Sequence, residues 1–307
     1  MKTPPANPPQ SIDLDRALTV GLKACRLGRE VLLKYIGNLQ HIEDKFQAGL
    51  VIEADKESER VISEHLRKNF PSIEFLGEES SYAEAKGEAA EGLGSGSSKV
   101  SGGLGESGGV ISLRAGAKGR WIVDPLDGTT NYIHQFPVFC ISLGLEVNGE
   151  MQVAVIDCPM MNETYTAIRG RGAFVNGRPI RVSGPKELKD AFLSTGFVAE
   201  KKHIIEEQLR IFGDIVYKCR AVRRPGAAAY DLALVARGVF DGYWERNLQP
   251  WDSAAGILLV EEAGGRVVSY RGNRYHPYMN SIVAGSSAVV EQMLSVIQPH
   301  VAADAVE

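Results

Sequence analysis

Leu14, Leu18, Leu22, Cys25, Leu32 and Tyr35 recur at helical spacing near the start of the chain. Apolar residues three and four apart share one helix face, so the spacing predicts an amphipathic helix. Asp13 can cap its start and Gly37 can end it. A turn-rich stretch follows. Glu53-Ala54-Asp55 then leads into a second helix, Lys56 to Asn69, closed by Pro71. Ile73 to Leu76 reads as a short strand that delivers Gly77-Glu78-Glu79-Ser80. Over residues 82–118 the pattern lapses, and Gly, Ser, Ala and Glu dominate. Such a segment buries too little apolar surface to offset its ordering entropy, so a flexible insertion is expected.

Strand patterning resumes at Trp121. Phe139 to Val147 and Met151 to Ile156 flank Asn148-Gly149, a two-residue hairpin signal. Glu163 to Arg169 makes a third strand, and the following GRGAFVNGRPI supplies further turns. Consecutive hairpins imply an antiparallel sheet. Beyond Pro185 strands and helices alternate. Strands are expected at Ala191 to Thr195, Phe240 to Glu245, Val267 to Tyr270 and Ile282 to Ala284. Helices are expected at Ile204 to Phe212, Ala227 to Arg237 and Ser253 to Ala263. That is α/β order. The chain is therefore expected to divide into a disordered, Pro-rich lead-in over 1–12, an α+β half over 13–185 and an α/β half over 186–307. No internal repeat is visible.

Composition narrows the class. The 307 residues, 44% hydrophobic and 23% charged, suit a soluble globular protein of one large or two ordinary domains. The net charge of −4 argues against a nucleic-acid binder. Arg223-Arg224 and Lys201-Lys202 read as solvated surface or anion contacts. Cys25, Cys140, Cys158 and Cys219 are widely spaced with no CxxC, which disfavours zinc and disulfide frameworks and fits a reduced, cytoplasmic setting. Cys25 and Cys140 fall within apolar patterns and read as small core residues. The six His show no metal-binding spacing. No apolar run is long enough to span a membrane.

The chemistry concentrates in Trp121 to Tyr132, WIVDPLDGTTNY. An apolar run ends at Asp124, Asp127 follows, and Gly128, Thr129 and Thr130 open a helix. Two carboxylates at a strand end offer hard oxygen ligands to a cation such as Mg2+. Backbone N–H groups at a Gly-led helix start offer an anion site. Together they suit phosphate-ester chemistry. Asp-Pro and Asp-Gly are also ordinary turn signals, so this segment alone leaves a plain surface turn open. The other acids shift the balance. Glu78 follows a strand, and Asp55 and Asp252 stand at helix starts. Such ends are where folds place chemistry, and clustered carboxylates need cations.

LGEES at 76–80, WIVDPLDGTTNY at 121–132 and PWDSAAGILLVEEAGG at 250–265 resemble the inositol monophosphatase family of Mg2+-dependent, lithium-sensitive phosphatases. RRPGAAAYDLALVARGVFDGYWE at 223–245 looks like the bacterial-type members. The resemblance runs from about residue 14 to 298, the insertion excepted. It implies a layered α-β-α-β-α sandwich of the sugar-phosphatase type, usually a homodimer, with two or three Mg2+ per site. By the same resemblance Glu78, Asp124, the Leu126 carbonyl, Asp127 and Asp252 are metal ligands, and Gly128 and Thr129 cradle phosphate. Thr129 and Asp55, with Glu78 close by, orient the attacking water. Gly226, Ala227, Ala228 and Glu245 contact the alcohol of a small phosphorylated polyol, beside Asp127 and Asp252. The family often has Ser or Thr where this chain has Ala227, and Thr where it has Ile52. The implied reaction is hydrolysis of inositol monophosphate. Fructose 1,6-bisphosphate, histidinol phosphate and 3′-phosphoadenosine 5′-phosphate are rival substrates within the superfamily. A non-enzymatic regulator of an RNA-processing complex is the alternative of a different class.

Overall fold

A computed structural model describes residues 12–39, 42–44, 50–86, 113, 117–184, 187–197 and 202–301. The expected lead-in over 1–12 lies outside these, apart from Ile12. So do residues 87–112 and 114–116 of the insertion.

The first half builds around one sheet. Helix α1 (Leu14–Tyr35) starts where expected, with the Asp13 side chain accepting from the Arg16 N–H at 3.0 Å. A short antiparallel ribbon, β1 (Ile42–Asp44) and β2 (Leu50–Ile52), leads into α2 (Glu53–Asn69). Strand β3 (Glu74–Gly77) runs directly into α3 (Glu78–Lys86). Residues 82–86 are therefore helical, which corrects the expectation of a flexible segment beginning at 82. Then come β4 (Arg120–Asp127), α4 (Thr129–Ile133), β5 (Cys140–Val147), β6 (Glu150–Cys158), β7 (Glu163–Ile168), β8 (Ala173–Val175) and β9 (Arg178–Ile180). They form one seven-stranded sheet in sequence order, antiparallel throughout except that β3 and β4 are parallel. The Asn148-Gly149 hairpin is present, with both residues at positive φ of 53° and 77°, as the tight turn between right-twisted strands requires.

The second half supplies β10 (Phe192–Thr195), α5 (Lys202–Val216), β11 (Ala221–Arg223), α6 (Ala228–Ala236), β12 (Gly242–Arg246), α7 (Pro250–Glu262), β13 (Arg266–Val268), β14 (Ser281–Gly285) and α8 (Ser287–Ile297). Its sheet order is β11-β10-β12-β14-β13. Strand β10 is parallel to both of its neighbours, while β14 runs antiparallel to β12 and β13. Strand β11 and helix α8 were not expected from the pattern. Strand β11 has three residues, too few to show a period, whereas Val289, Val290, Met293, Leu294 and Ile297 of α8 do recur at helical spacing.

Alternation along the strands sorts the core into layers. Trp121 and Val123 of β4, and Ile141, Leu143 and Leu145 of β5, pack against α1 and α2. Ile122 and Cys140 point the other way, into a core shared with α6, α7 and the inner face of the second sheet. Leu193, Trp244 and Val283 carry the second sheet's outer face onto α5 and α8. The result is an α-β-α-β-α sandwich, each helical stripe burying its apolar side on a pleated face. The acidic segments lie where the middle layer meets the strand ends.

Candidate active site

Strand β4 does not stop at Asp124. It pairs with β5 through Asp124↔Ser142, is interrupted by an irregularity at Pro125-Leu126, and pairs again at Asp127↔Cys140. A local disruption of this kind re-aims side chains. Asp124 and Asp127 are both buried. The Asp124 carboxylate accepts from the Leu126 N–H at 2.9 Å. Gly128 then turns the chain at φ +94°, where a Cβ would stand 3.0 Å from the Val138 carbonyl oxygen. Only glycine takes that conformation without strain. Thr129 opens α4, and its hydroxyl donates to the Leu126 carbonyl at 3.1 Å. That carbonyl, an expected metal ligand, keeps a second lone pair.

The remaining acids are delivered by helix starts. Asp252 is the third residue of α7, and its Oδ2 accepts from the Gln249 N–H at 2.7 Å. Asp55 is the third residue of α2, and its Oδ2 accepts from the Ile52 N–H at 2.9 Å. Each therefore sits in a capping arrangement that spends one oxygen on the backbone. Asp127 caps a helix distant in sequence. Its two oxygens accept from Ala228 N–H at 3.2 Å and Ala229 N–H at 2.8 Å, at the start of α6. Glu78 begins α3 and is half-buried.

Electrostatics show which acids have been gathered. Burial pushes Asp124 well above the usual carboxylate range, and the charges of Glu78, Asp127 and Asp252 push it further. Asp252 is raised by burial, then by Asp127, and also by Glu78 and Glu245. Asp127 reaches only about 6, because burial is opposed by the N–H groups of α6 and by the Cys140 thiol, which donates at 3.5 Å. Among the described residues no three His, Cys, Asp or Glu side chains already enclose an ion. The arrangement is thus a buried acidic neighbourhood rather than a closed coordination shell. It fits a divalent cation nonetheless. The donors are hard carboxylate oxygens, and the charges acting on Asp124 are all negative. Removing several carboxylates from water without a compensating cation is costly.

A second group lines the approach from the other sheet. Glu245 on β12 is buried, receives the Tyr243 hydroxyl, and is pushed up to about 7 by burial. Arg224 pulls it back down. Ala227 is buried at the start of α6, with Gly226 before it at φ +88° and half-buried Ala228 after it. The structure thus gathers Glu78, Asp127 and Asp252 around Asp124, and brings Glu245 within electrostatic reach of Asp127 and Asp252. Asp55 lies on the α2 side, where its charge acts on Tyr132.

Three residues here escaped the sequence reading. Asp231 on α6 is buried and raised by burial, then by Glu245 and Asp127. A single acid in the apolar run AAAYDLALVA was the available signal. Glu59 on α2 is buried and bonds the start of α3, and its spacing of four from Asp55 was legible. Asn131 donates its amide to Val138 O at 2.7 Å and Pro225 O at 2.9 Å, tying α4 to the loop before α6. Nothing local in the sequence marks that long-range tie. Of the basic pairs, Arg223 stacks on Phe192 and Arg224 donates to the Phe197 carbonyl. Lys202 is exposed beside Glu206, while Lys201 lies outside the described residues. Cys25 and Cys140 are buried core residues, as expected.

A five-layer sandwich with buried acids at a strand bulge and at helix starts defines the class of the sugar phosphatases. The chain belongs to the inositol monophosphatase family, whose model matches residues 13–305. A Pseudomonas aeruginosa protein called Nus factor SuhB is 37% identical, covering 92% of this chain and 96% of that one. The structure of extragenic suppressor protein suhB from Bartonella henselae matches with a TM-score of 0.78 at 34% identity, over 93% of this chain and 99% of that one. Inositol monophosphatase from Anabaena matches with a TM-score of 0.71 at 33% identity, over 94% and 97% of the two chains. The family is metal-dependent, generally on Mg2+, and its substrates are phosphorylated small molecules. Among the described residues no helix is long and apolar enough to cross a membrane.

Proposed function

We propose that this chain hydrolyses a phosphate monoester, inositol monophosphate, to inositol and phosphate with Mg2+. The observation that carries this reading is the pair of buried acids Asp124 and Asp127 directly before the α4 start, with Glu78 at the start of α3 and Asp252 at the start of α7 both acting on Asp124. Glu78, Asp124 and the Leu126 carbonyl would hold one Mg2+, and Asp124, Asp127 and Asp252 another. When bound, the ions acidify water and neutralise charge on the phosphate and the departing alkoxide. Backbone N–H groups of Gly128 and Thr129 hold the phosphate in line. The Thr129 hydroxyl and Asp55 orient the attacking water from the α2 side. Gly226, Ala227, Ala228 and Glu245 face the alcohol, where a carboxylate accepts hydrogen bonds from ring hydroxyls. Burial pushes the Cys140 thiol well above its ordinary value, which makes it a poor nucleophile, and direct attack by water needs none. A cytoplasmic homodimer completes the proposal.

The test is phosphate release from inositol 1-phosphate, fructose 1,6-bisphosphate, histidinol phosphate and 3′-phosphoadenosine 5′-phosphate, with and without Mg2+. Inositol 1-phosphate should lead the panel. Asp124→Asn should remove nearly all turnover, and chelation should do so reversibly. Near-normal Mg2+-dependent activity in that variant would sink the metal assignment. The relatives called Nus factor SuhB support a second role, in an RNA-processing complex, alongside catalysis. The net charge of −4 favours a protein contact over direct nucleic-acid binding in such a complex.

A further inference from the structure

Glu59 follows Asp55 by one helical turn on α2, and the proposed mechanism has no use for it. Its carboxylate is buried. Both oxygens are spent on the first turn of α3: Oε2 accepts from the Glu79 N–H at 2.8 Å and Oε1 from the Ser80 N–H at 2.8 Å. On the other side of Glu78 stands Gly77. A Cβ there would lie 2.4 Å from Glu59 Oε2, so the carboxylate fits only because that residue has no side chain. The Gly77 carbonyl is held in turn by the Ser81 hydroxyl at 2.6 Å. The same helix also grips the other acidic segment. Ser58 donates its hydroxyl to the Pro125 carbonyl at 3.1 Å, next to Asp124. One rigid helix therefore touches the backbone beside both Glu78 and Asp124. Hydrogen bonds to a buried carboxylate are charge-assisted, hence stronger than those of a neutral cap.

We infer that Glu59 is a positioning residue that fixes the backbone just after Glu78 while packing against Gly77 just before it, and so sets where the Glu78 carboxylate stands relative to Asp124. The inference rests on the reading of Glu78 as a metal ligand. Glu59 itself touches neither metal nor substrate. It acts on the site through the geometry of the α3 start.

Glu59→Gln in the full chain tests this. The amide keeps the shape but presents an NH2 group to one of the two N–H donors. Mg2+ binding is read by calorimetry and by the rise in melting temperature on adding Mg2+, beside the Mg2+ dependence of inositol 1-phosphate hydrolysis. The Mg2+ Kd should weaken about tenfold or more, the loss expected when a partner behind a metal ligand is removed. The kcat at saturating Mg2+ should fall less. A lowered melting temperature with an unchanged Mg2+ Kd would show a purely structural cap and overturn the inference. Should that variant fail to fold, Glu59→Asp keeps the charge and withdraws it by one methylene. It should also weaken Mg2+ binding, and a wild-type Kd there overturns the inference. A wild-type protein that neither binds Mg2+ nor releases phosphate removes the functional reading and this inference with it. An active, Mg2+-binding wild type with an unaffected Glu59→Gln removes this inference alone.

Discussion

Glu245 is a carboxylate taken out of water with few compensations. The Tyr243 hydroxyl bonds to it and Arg224 attracts it, yet burial still pushes it up to about 7. A group held that way gains much from a ligand hydroxyl that arrives to hydrogen-bond it. Glu245→Gln keeps the size and removes the charge. It should lower kcat/KM on inositol 1-phosphate by about tenfold, the value of one charge-assisted hydrogen bond. A simple aryl phosphate, which has no ring hydroxyls, should be nearly unaffected. Equal losses on both substrates would show that Glu245 does not read the alcohol. Asp231 on α6 is a further buried acid beside it, raised by burial and then by the Glu245 charge.

At the scale of elements, one device recurs. The starts of α2, α3, α6 and α7 each bind a carboxylate, from Asp55, Glu59, Asp127 and Asp252 respectively. Unsatisfied N–H groups and the helix dipole make each of these ends a favourable place for negative charge. This is how the fold tolerates so many buried acids in one region. It also explains Ala227. An Ala at the N-cap ordinarily leaves N–H groups unbonded, but Asp127 already accepts those of Ala228 and Ala229. A Ser at an N-cap usually adds about 1 kcal/mol over Ala. Ala227→Ser should therefore stabilise much less here, raising the melting temperature by under about 2 °C. A thermal melt decides it, and a larger gain would mean that Asp127 is not the effective cap.

For the whole molecule, the gathered acids predict an inverted pH response. Asp127 titrates at about 6 and Glu245 at about 7 in the folded protein, above their unfolded values. Across that interval the folded state holds more protons than the unfolded one, so stability falls as pH rises. The contribution is complete below the unfolded carboxylate range and is lost as pH climbs through about 6 and then about 7. Metal-free protein should melt higher at mildly acid pH than at mildly alkaline pH, by on the order of 5 °C. Mg2+ should recover the difference on the alkaline side, since it binds the ionised forms. Equal melting temperatures at both pH values without Mg2+ would show that these carboxylates are not strained by their burial. The response spans both sheets, because Asp127 stands on β4 and Glu245 on β12.

Local pattern determined a great deal. The α1 period, the Asn148-Gly149 turn and the strand–acid–glycine order of WIVDPLDG were readable because each depends on neighbours within a few residues. The reading of α2 began at Lys56, three residues inside the helix, because Ile52 is a poor N-cap and the Asp55 contact that closes the turn leaves no clear cap signal. The continuation of β4 past Pro125 was hidden, since a proline argues against a strand interior unless a bulge frees its position. The mixed second sheet was equally hidden, because strand direction is settled by which crossovers pack, not by the strands themselves. Only tertiary structure could set Asp127 on the start of a helix 101 residues away, or Glu59 against the residues flanking Glu78. Those contacts join segments that are unrelated by spacing. Their energy comes from burial and from backbone groups that no local window contains.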